Sequence, residues 1–327
     1  MNLRSGLIIL SMIFGVSISD MKSAQSESSK SLLDRGTTKS ELGSDAEAIK
    51  LFDTALNQNS NLVQAYIKRG RSHRNLHQYQ AALQDYNLAL ELNPQSISAY
   101  TGRGIYYQAQ GKYQLAIDDY KKYLKSDPNN RNIQEYIAWS YFRLNKYQEA
   151  IFHASKAIEL YSKSVNGMET RGRSFYSMGN YSAASTDFNT IIKIEPKNGS
   201  AHKWRGHSNL YLHNYQQALS DYDRAIKLDK KVGDSYLYSY RAFAKRQLGQ
   251  KSAALSDYQQ ALKIAKIEGD VNNIESIRIS IDDIQEEPQR IVIATLLTLL
   301  LTGAGYSGLI AIERRNEAKY LEQFQDS

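Results

Sequence analysis

The chain has 327 residues, with 41 lysines and arginines against 34 aspartates and glutamates and a formal net charge of +7. The absence of cysteine excludes disulfides, thiolate metal sites and a lipid-modified N-terminal cysteine. Basic and acidic residues are interleaved, so the mild excess points to acidic partners and away from nucleic acid.

The first element is the apolar run Leu7–Ile18, preceded by Arg4. As a helix it is about 18 Å long, short against a bilayer core of about 30 Å. Ser17-Ile18-Ser19 places small residues at alternate positions. Residues 1–19 therefore read as a signal peptide cleaved after Ser19, or as an uncleaved anchor, since the site lacks alanine. The serine-rich stretch 20–28 reads as a linker.

From residue 29 the dipeptide Arg-Gly recurs at Arg35-Gly36, Arg69-Gly70, Arg103-Gly104, Arg171-Gly172 and Arg205-Gly206, in steps of 34, 34, 68 and 34 residues. A fixed period of this size predicts stacked helical hairpins. Twelve residues after each glycine stands Ala48, Ala82, Ala116, Ala184 or Ala218, and four further on an aromatic, Phe52, Tyr86, Tyr120, Phe188 or Tyr222. Small residues such as Gly70 and Ala82 let two helices cross closely, and Tyr86 fills the space beside them. Pro94, Pro128 and Pro196 break the pattern between copies. The 68-residue step hides a degenerate copy with Ala138, Tyr147, Ala150 and Ala157, and a last copy follows a two-residue insertion, with Ala242, Gly249, Ala254, Tyr258 and Ala261. The copies run 29–62, 63–96, 97–130, 131–164, 165–198, 199–232 and 235–268. Sixteen residues after the repeated arginine comes an aspartate, as in Arg69/Asp85, Arg103/Asp119, Arg171/Asp187, Arg205/Asp221 and Arg241/Asp257. The fourth copy carries Ile137 and His153 instead. The spacing favours an ion pair between the two helices of a hairpin; arginines facing a binding groove are the other reading.

Beyond the array, Ile274, Ile277, Ile281 and Ile284 fall on one helical face, so 270–287 reads as a capping helix ended by Pro288. The uncharged run Ile291–Ile312 is about 33 Å long as a helix and reads as a transmembrane helix, with 313–327 as a cytoplasmic tail. Gly303/Ser307 and Ala304/Gly308 make small-xxx-small pairs, a contact surface for a homodimer through that helix. Arg4 at one end and Arg314, Arg315 and Lys319 at the other place residues 20–290 across the membrane, in a periplasm or lumen.

The repeated positions resemble the tetratricopeptide repeat family over 29–268. The resemblance implies an all-α fold, a right-handed superhelical solenoid of about seven hairpins, here followed by the capping and transmembrane helices. It also implies that the first helix of each hairpin lines a concave groove that binds a polypeptide. Carried onto this sequence, the groove positions select Lys68, Arg71 and Arg74, then Tyr136, Trp139 and Arg143, then Arg173 and Tyr176, then Lys203, Trp204 and His207, and finally Tyr240. Aromatics and arginines carry most interface energy, so the expected partner is an acidic or aromatic-bearing peptide or protein. The terminal-carboxylate clamp of chaperone-tail-binding members is missing, because its positions read Ile67/Arg71, Thr101/Ile105 and Glu135/Trp139.

His73 and His77 stand four apart, but the sequence places no third ligand beside them. There is no phosphate loop, nucleophile elbow or H-E-x-x-H motif. No catalytic residue, metal or cofactor is expected. The sequence describes a non-enzymatic, membrane-anchored scaffold or adaptor with an extracytoplasmic array. A cytosol-facing tail-anchored adaptor, or an assembly or biogenesis factor for a membrane complex, stands as the alternative.

Overall fold

The computed structural model describes residues 27–228 and 234–302, with side chains to residue 286. These residues form α-helices in pairs: α1 (Ser29–Glu41) and α2 (Asp45–Gln58), α3 (Val63–Asn75) and α4 (Tyr79–Leu92), α5 (Ile97–Ala109) and α6 (Tyr113–Leu124), α7 (Arg131–Arg143) and α8 (Tyr147–Leu160), α9 (Val165–Ser177) and α10 (Tyr181–Ile194), α11 (Gly199–Tyr211) and α12 (Tyr215–Leu228), α13 (Ser235–Gln247) and α14 (Lys251–Glu268). A single long helix, α15 (Val271–Thr302), follows. The chain divides into two compact units that part after Ser174, inside α9. In the first, α1 to α8 pair as hairpins that stack in sequence order. In the second, α11 pairs with α12 and α13 with α14, and α15 lies against α14 and α13.

Local chemistry repeats with the same period. The first helices need acceptors for their free N–H groups, and Ser28, Ser96, Asn130, Ser164, Asn198 and Asp234 each accept from the N–H three residues on. Leu62, at the start of α3, has no such side chain. Within each hairpin the connection passes through one left-handed residue. Gly43, Gly111, Gly179 and Gly249 take it without strain, whereas His77, Asn145 and His213 adopt φ of 58–60°. Each of these three is held by the tyrosine two residues on, with Tyr79 Oη 2.8 Å from His77 Nδ1, Tyr147 Oη donating to Asn145 Oδ1 at 2.9 Å, and Tyr215 Oη 2.7 Å from His213 Nδ1.

The two helices of a hairpin meet where the glycine of Arg-Gly faces an aromatic ring. A Cβ added at Gly104 would lie 2.5 Å from the Tyr120 ring, and one at Gly206 would lie 2.7 Å from Tyr222. Phe52, Tyr86, Tyr120, Phe188 and Tyr222 are fully buried as a result, each ring contributing about 1.5–3 kcal/mol of apolar transfer. In the fourth hairpin the two positions are Ala138 and Ala154, both without exposed surface.

The repeated arginine ties three helices together. Arg69 forks onto Asp85 of its own hairpin (Nε–Oδ2 3.0 Å, Nη2–Oδ1 2.6 Å), and its remaining Nη1 donates to Asp53 of the preceding hairpin at 2.6 Å. Arg103 repeats this with Asp119 and Asn87, Arg205 with Asp221 and Asn189, and Arg241 with Asp257 and Asp223. Arg171 reaches back to Ser155 at 3.2 Å. Burial alone would lower the pKa of Arg69, but Asp85 and Asp53 outweigh it and the net shift is upward. Where Ile137 replaces the arginine, both acceptor positions change with it: Lys121 stands sixteen residues before, and His153, sixteen after, bonds Gln134 at 2.7 Å and stacks on Tyr141. Arg35, in the first hairpin of the described residues, pairs instead with Glu27.

The structure corrects the C-terminal expectations. No helix among the described residues is long and apolar enough to cross a membrane. Helix α15 does not end at Pro288 but runs through it to Thr302, and its first half is an amphipathic cap whose Ile277 and Ile284 are buried against Ala242, Ala254, Tyr258, Ala261 and Ala265. Of the apolar run 291–312, the described residues include 291–302. A transmembrane helix at 291–312, membrane anchoring, single-pass topology and the homodimer through that helix are therefore not supported. The pairs Gly303/Ser307 and Ala304/Gly308, the tail 313–327 and the signal peptide at 1–19 lie outside the described residues. Residues 20–26 of the expected linker also lie outside them, and Ser28 at its end caps α1.

Asp119→Ala leaves the Arg103 guanidinium without its fork and should destabilise the array by about 3–5 kcal/mol, whereas Arg103→Met with Asp119→Leu removes both charges and should cost less. Urea unfolding of the two variants decides, and equal losses would contradict a coupled pair. Gly104→Ala, which drives a methyl into Tyr120, should cost about 1–3 kcal/mol in the same assay.

Candidate functional site

On α3, Lys68, Arg71 and Arg74 follow one another at three-residue steps, a single stripe of the helix. They line a cavity of about 520 Å³ between α3 and α5, together with Tyr86 of α4 and Ser98, Thr101 and Gly102 of α5. Arg69, their neighbour in sequence, points elsewhere and is consumed by Asp85 and Asp53. Among the described residues Lys68, Arg71 and Arg74 form no ion pair. Tyr86 is 1% exposed, its hydroxyl meets no hydrogen-bond partner, and burial pushes its pKa up to about 12 against the opposing pull of Arg74 and Arg71.

The next patch is built on α7. Trp139 stacks on Phe142 with ring centroids 5.4 Å apart. The Arg173 guanidinium lies 5.1 Å from the Trp139 ring and 4.9 Å from that of Phe142, a cation–π arrangement that covers the aromatic surface. Burial lowers the Arg173 pKa, with Glu169 at 3.4 Å opposing. Arg143 is exposed and sits 4.8 Å over the Tyr113 ring, and Tyr136 leans on Tyr120 at 5.5 Å. Tyr136 and Trp139 line a cavity of about 310 Å³ with Gln108, Glu135 and Glu169. Glu135, outside the sequence-derived set, is buried, and Ser164 and Asn166 donate to it at 2.7 and 3.2 Å.

In the second unit Tyr176, Trp204, His207 and Tyr240 join one aromatic cluster. Tyr176 meets Trp204 edge-on at 5.3 Å, Trp204 stacks on Phe188 at 6.2 Å, and His207 meets Tyr240 at 4.6 Å. His207 is not a surface residue as the groove positions suggest. It is 7% exposed, its Nδ1 lies 3.0 Å from Tyr222 Oη, and burial and then Lys203 pull its pKa down to about 3, so it is neutral at pH 7. Lys203 pairs with Asp234 at 3.4 Å. Of the sequence-derived residues only Tyr240 lines the cavity of about 490 Å³ beside this cluster, whose walls are Tyr211, Tyr215, Tyr236, Phe243 and Tyr258, with Asn273, Ser276 and Ser280 of α15. The α15 residues carry no repeat register. Their one sequence signal is small polar residues at spacings of three and four along the cap.

His73 and His77 do not converge: His73 bonds Gln78, and His77 occupies the left-handed turn with Tyr79. Among the described residues no group of three or more histidines, aspartates or glutamates could hold a metal ion.

Stacked helical pairs joined by an internal staple, with variable side chains on the first helices, define a helical-repeat array. Family models described as tetratricopeptide repeat match residues 33–97 and 170–231, 70–135 and 134–164, and the chain belongs to the tetratricopeptide repeat family. This is a family of non-catalytic scaffolds, and the chain is not an enzyme. It is similar in fold to a tetratricopeptide repeat protein from Parabacteroides merdae, at 20% identity and a TM-score of 0.56, over 79% of this chain and 98% of that one. The C-terminal part of a repeat-containing protein from Cytophaga hutchinsonii is similar at 18% identity and a TM-score of 0.58, over 71% and 95%. Pseudomonas aeruginosa pilF is similar at 18% and 0.57, over 67% and 97%. At these identities the likeness is one of fold alone. No curated protein matches the chain.

His207 and His153, whose pKa burial lowers to about 3 and about 4, make stability pH-dependent. Both are neutral in the native state, while the unfolded state takes up protons below an ordinary histidine value of about 6.5. The stability they contribute is present above pH 6.5 and lost as pH falls towards 4. Melting temperature should drop between pH 7 and 5, and His207→Gln should flatten that slope. An unchanged slope would mean that His207 does not titrate in this way.

Proposed function

We propose that the chain is a polypeptide-binding scaffold whose working surface is the row of first helices, taken separately in each unit. The observation that carries this reading is chemical. Two cavities, at α3/α5 and at α5/α7/α9, are lined largely by first-helix side chains, and a third is shared by α11, α13 and the cap α15; the first-helix residues vary from copy to copy while the residues holding the hairpins together repeat. One stretch is cationic, one combines Trp139 with Arg173, and one is walled by tyrosines and Phe243. Such surfaces suit an extended partner bearing acidic and aromatic side chains. Lys68, Arg71, Arg74, Tyr136, Trp139, Arg143 and Tyr240 are its contact residues, and Arg173, Tyr176, Trp204 and His207 shape the aromatic stretches. Lys203, paired with Asp234, is a lesser contact.

The test is a displayed library of random twelve-residue peptides panned against the purified full chain. Wild type should enrich acidic or aromatic sequences. Trp139→Ala combined with Trp204→Ala should weaken binding of the enriched peptides at least tenfold with helical circular dichroism retained. Undiminished binding would move the working surface to another face.

A further inference from the structure

Within unit 1 the cavity between α3 and α5 differs from the other stretches of the face in three independent ways. It holds Lys68, Arg71 and Arg74, no acidic residue lines it, and these cations make no ion pair among the described residues. Two acids act electrostatically on this region and both hold other partners: Asp45, whose charge reaches Arg71, accepts from Ser40 at 2.8 Å and Asn75 at 3.1 Å, and Asp85, whose charge reaches Tyr86, is forked by Arg69. Second, the cavity contains a buried hydroxyl with no partner, Tyr86 Oη, and an unsatisfied buried polar group costs about 1–3 kcal/mol. Third, Gly102 lets α5 pack directly against that ring, and adds no side chain to the cavity wall. A Cβ there would lie 2.4 Å from Tyr86 Cε1, and the same register position holds Asp34, Lys68, Tyr136, Thr170, Trp204 and Tyr240 in the other copies.

We propose that this cavity is an oxyanion subsite that takes a phosphoryl group carried on a polypeptide, with Tyr86 Oη donating to it and Lys68, Arg71 and Arg74 neutralising it. A phosphomonoester carries close to two negative charges and three acceptor oxygens at neutral pH, which matches three unpaired cations and one orphan donor better than the two oxygens and single charge of a carboxylate. The subsite rests on the reading of the first-helix face as the binding surface and specifies its chemistry at one place.

The probes are inorganic phosphate and the blocked tripeptides Gly-phosphoserine-Gly, Gly-Glu-Gly and Gly-Ser-Gly, titrated calorimetrically into the full chain. Phosphoserine should bind at least tenfold more tightly than glutamate, and inorganic phosphate should compete with it. Tyr86→Phe, which keeps the ring against Gly70 and Gly102, should weaken phosphoserine about tenfold or more, the size expected for one hydrogen bond to a charged group. Arg71→Gln with Arg74→Gln should abolish it, while Lys122→Gln, an exposed cation on α6 outside the first-helix face, should leave it unchanged. Equal affinity for glutamate and phosphoserine overturns the assignment, as does insensitivity to Tyr86→Phe in a variant of unchanged melting temperature. The outcome is separable from the scaffold reading. A wild-type chain that binds library peptides but not phosphate overturns the subsite alone, and one that binds phosphoserine but enriches no library peptide overturns the scaffold reading alone.

Discussion

The fork of an arginine onto a buried aspartate is the interaction on which the array depends. The carboxylate of Asp85 is almost fully buried, and such a charge is tolerated only with a geometrically good partner. The guanidinium supplies two parallel bonds to it and has one Nη left over, which reaches the second helix of the preceding hairpin at Asp53, Asn87, Asn189 or Asp223. One side chain therefore holds a hairpin closed and sets its position on its neighbour. In a linear array, where each repeat touches only the next, this makes the nearest-neighbour contact directional and supplements apolar packing.

The fourth hairpin shows that the staple is a set of coupled positions. Replacing arginine by Ile137 removes the donor. Lys121 then stands where an acceptor of the preceding hairpin would be, and His153 where the aspartate would be. Lys121 lies 5.6 Å over the Tyr141 ring, and His153 is neutral, bonded to Gln134. The close glycine–aromatic contact changes in the same hairpin to Ala138 and Ala154. Unpaired charge and empty volume are both avoided because each substitution is matched by its partner. On the first-helix side of this hairpin stand Trp139 and Phe142, covered by Arg173.

The staple also explains why the cationic stretch on α3 stands out. Recurring arginines are numerous, but most are spent inside the array, so sequence charge alone overstates the basic surface. Lys68, Arg71 and Arg74 are out of that register and form no ion pair among the described residues. The face is thus chemically graded within unit 1, from cations at α3 to aromatics at α7, while in unit 2 tyrosines and the polar edge of the cap enclose a separate cavity. On the proposed reading each patch favours a different side chain of a bound chain, and a repeat scaffold of one backbone shape acquires specificity in this way.

Periodicity made the hairpins legible from sequence, because a helical pair that cannot bury its apolar face alone must repeat in register to stack. The sixteen-residue Arg–Asp spacing made the ion pair legible for the same reason. What lies off the period was not. The third arm of the staple, the tyrosines that hold His77, Asn145 and His213 in left-handed turns, and the contribution of Asn273, Ser276 and Ser280 to a cavity all depend on which groups approach across helices. Burial of His207 and the orphan hydroxyl of Tyr86 likewise follow from neighbours in space. Hydropathy alone reads the apolar run after residue 290 as a separate membrane span, whereas the described helix enters that run directly from an amphipathic cap through Pro288, a continuity that local hydropathy does not report. The sequence alone determined a repeating helical array and its internal ion pairs, since those are encoded at fixed spacings. Only the tertiary structure decided which cations and rings lie outside the staples and the core, because that depends on which charges and hydrogen-bonding groups the fold has already used.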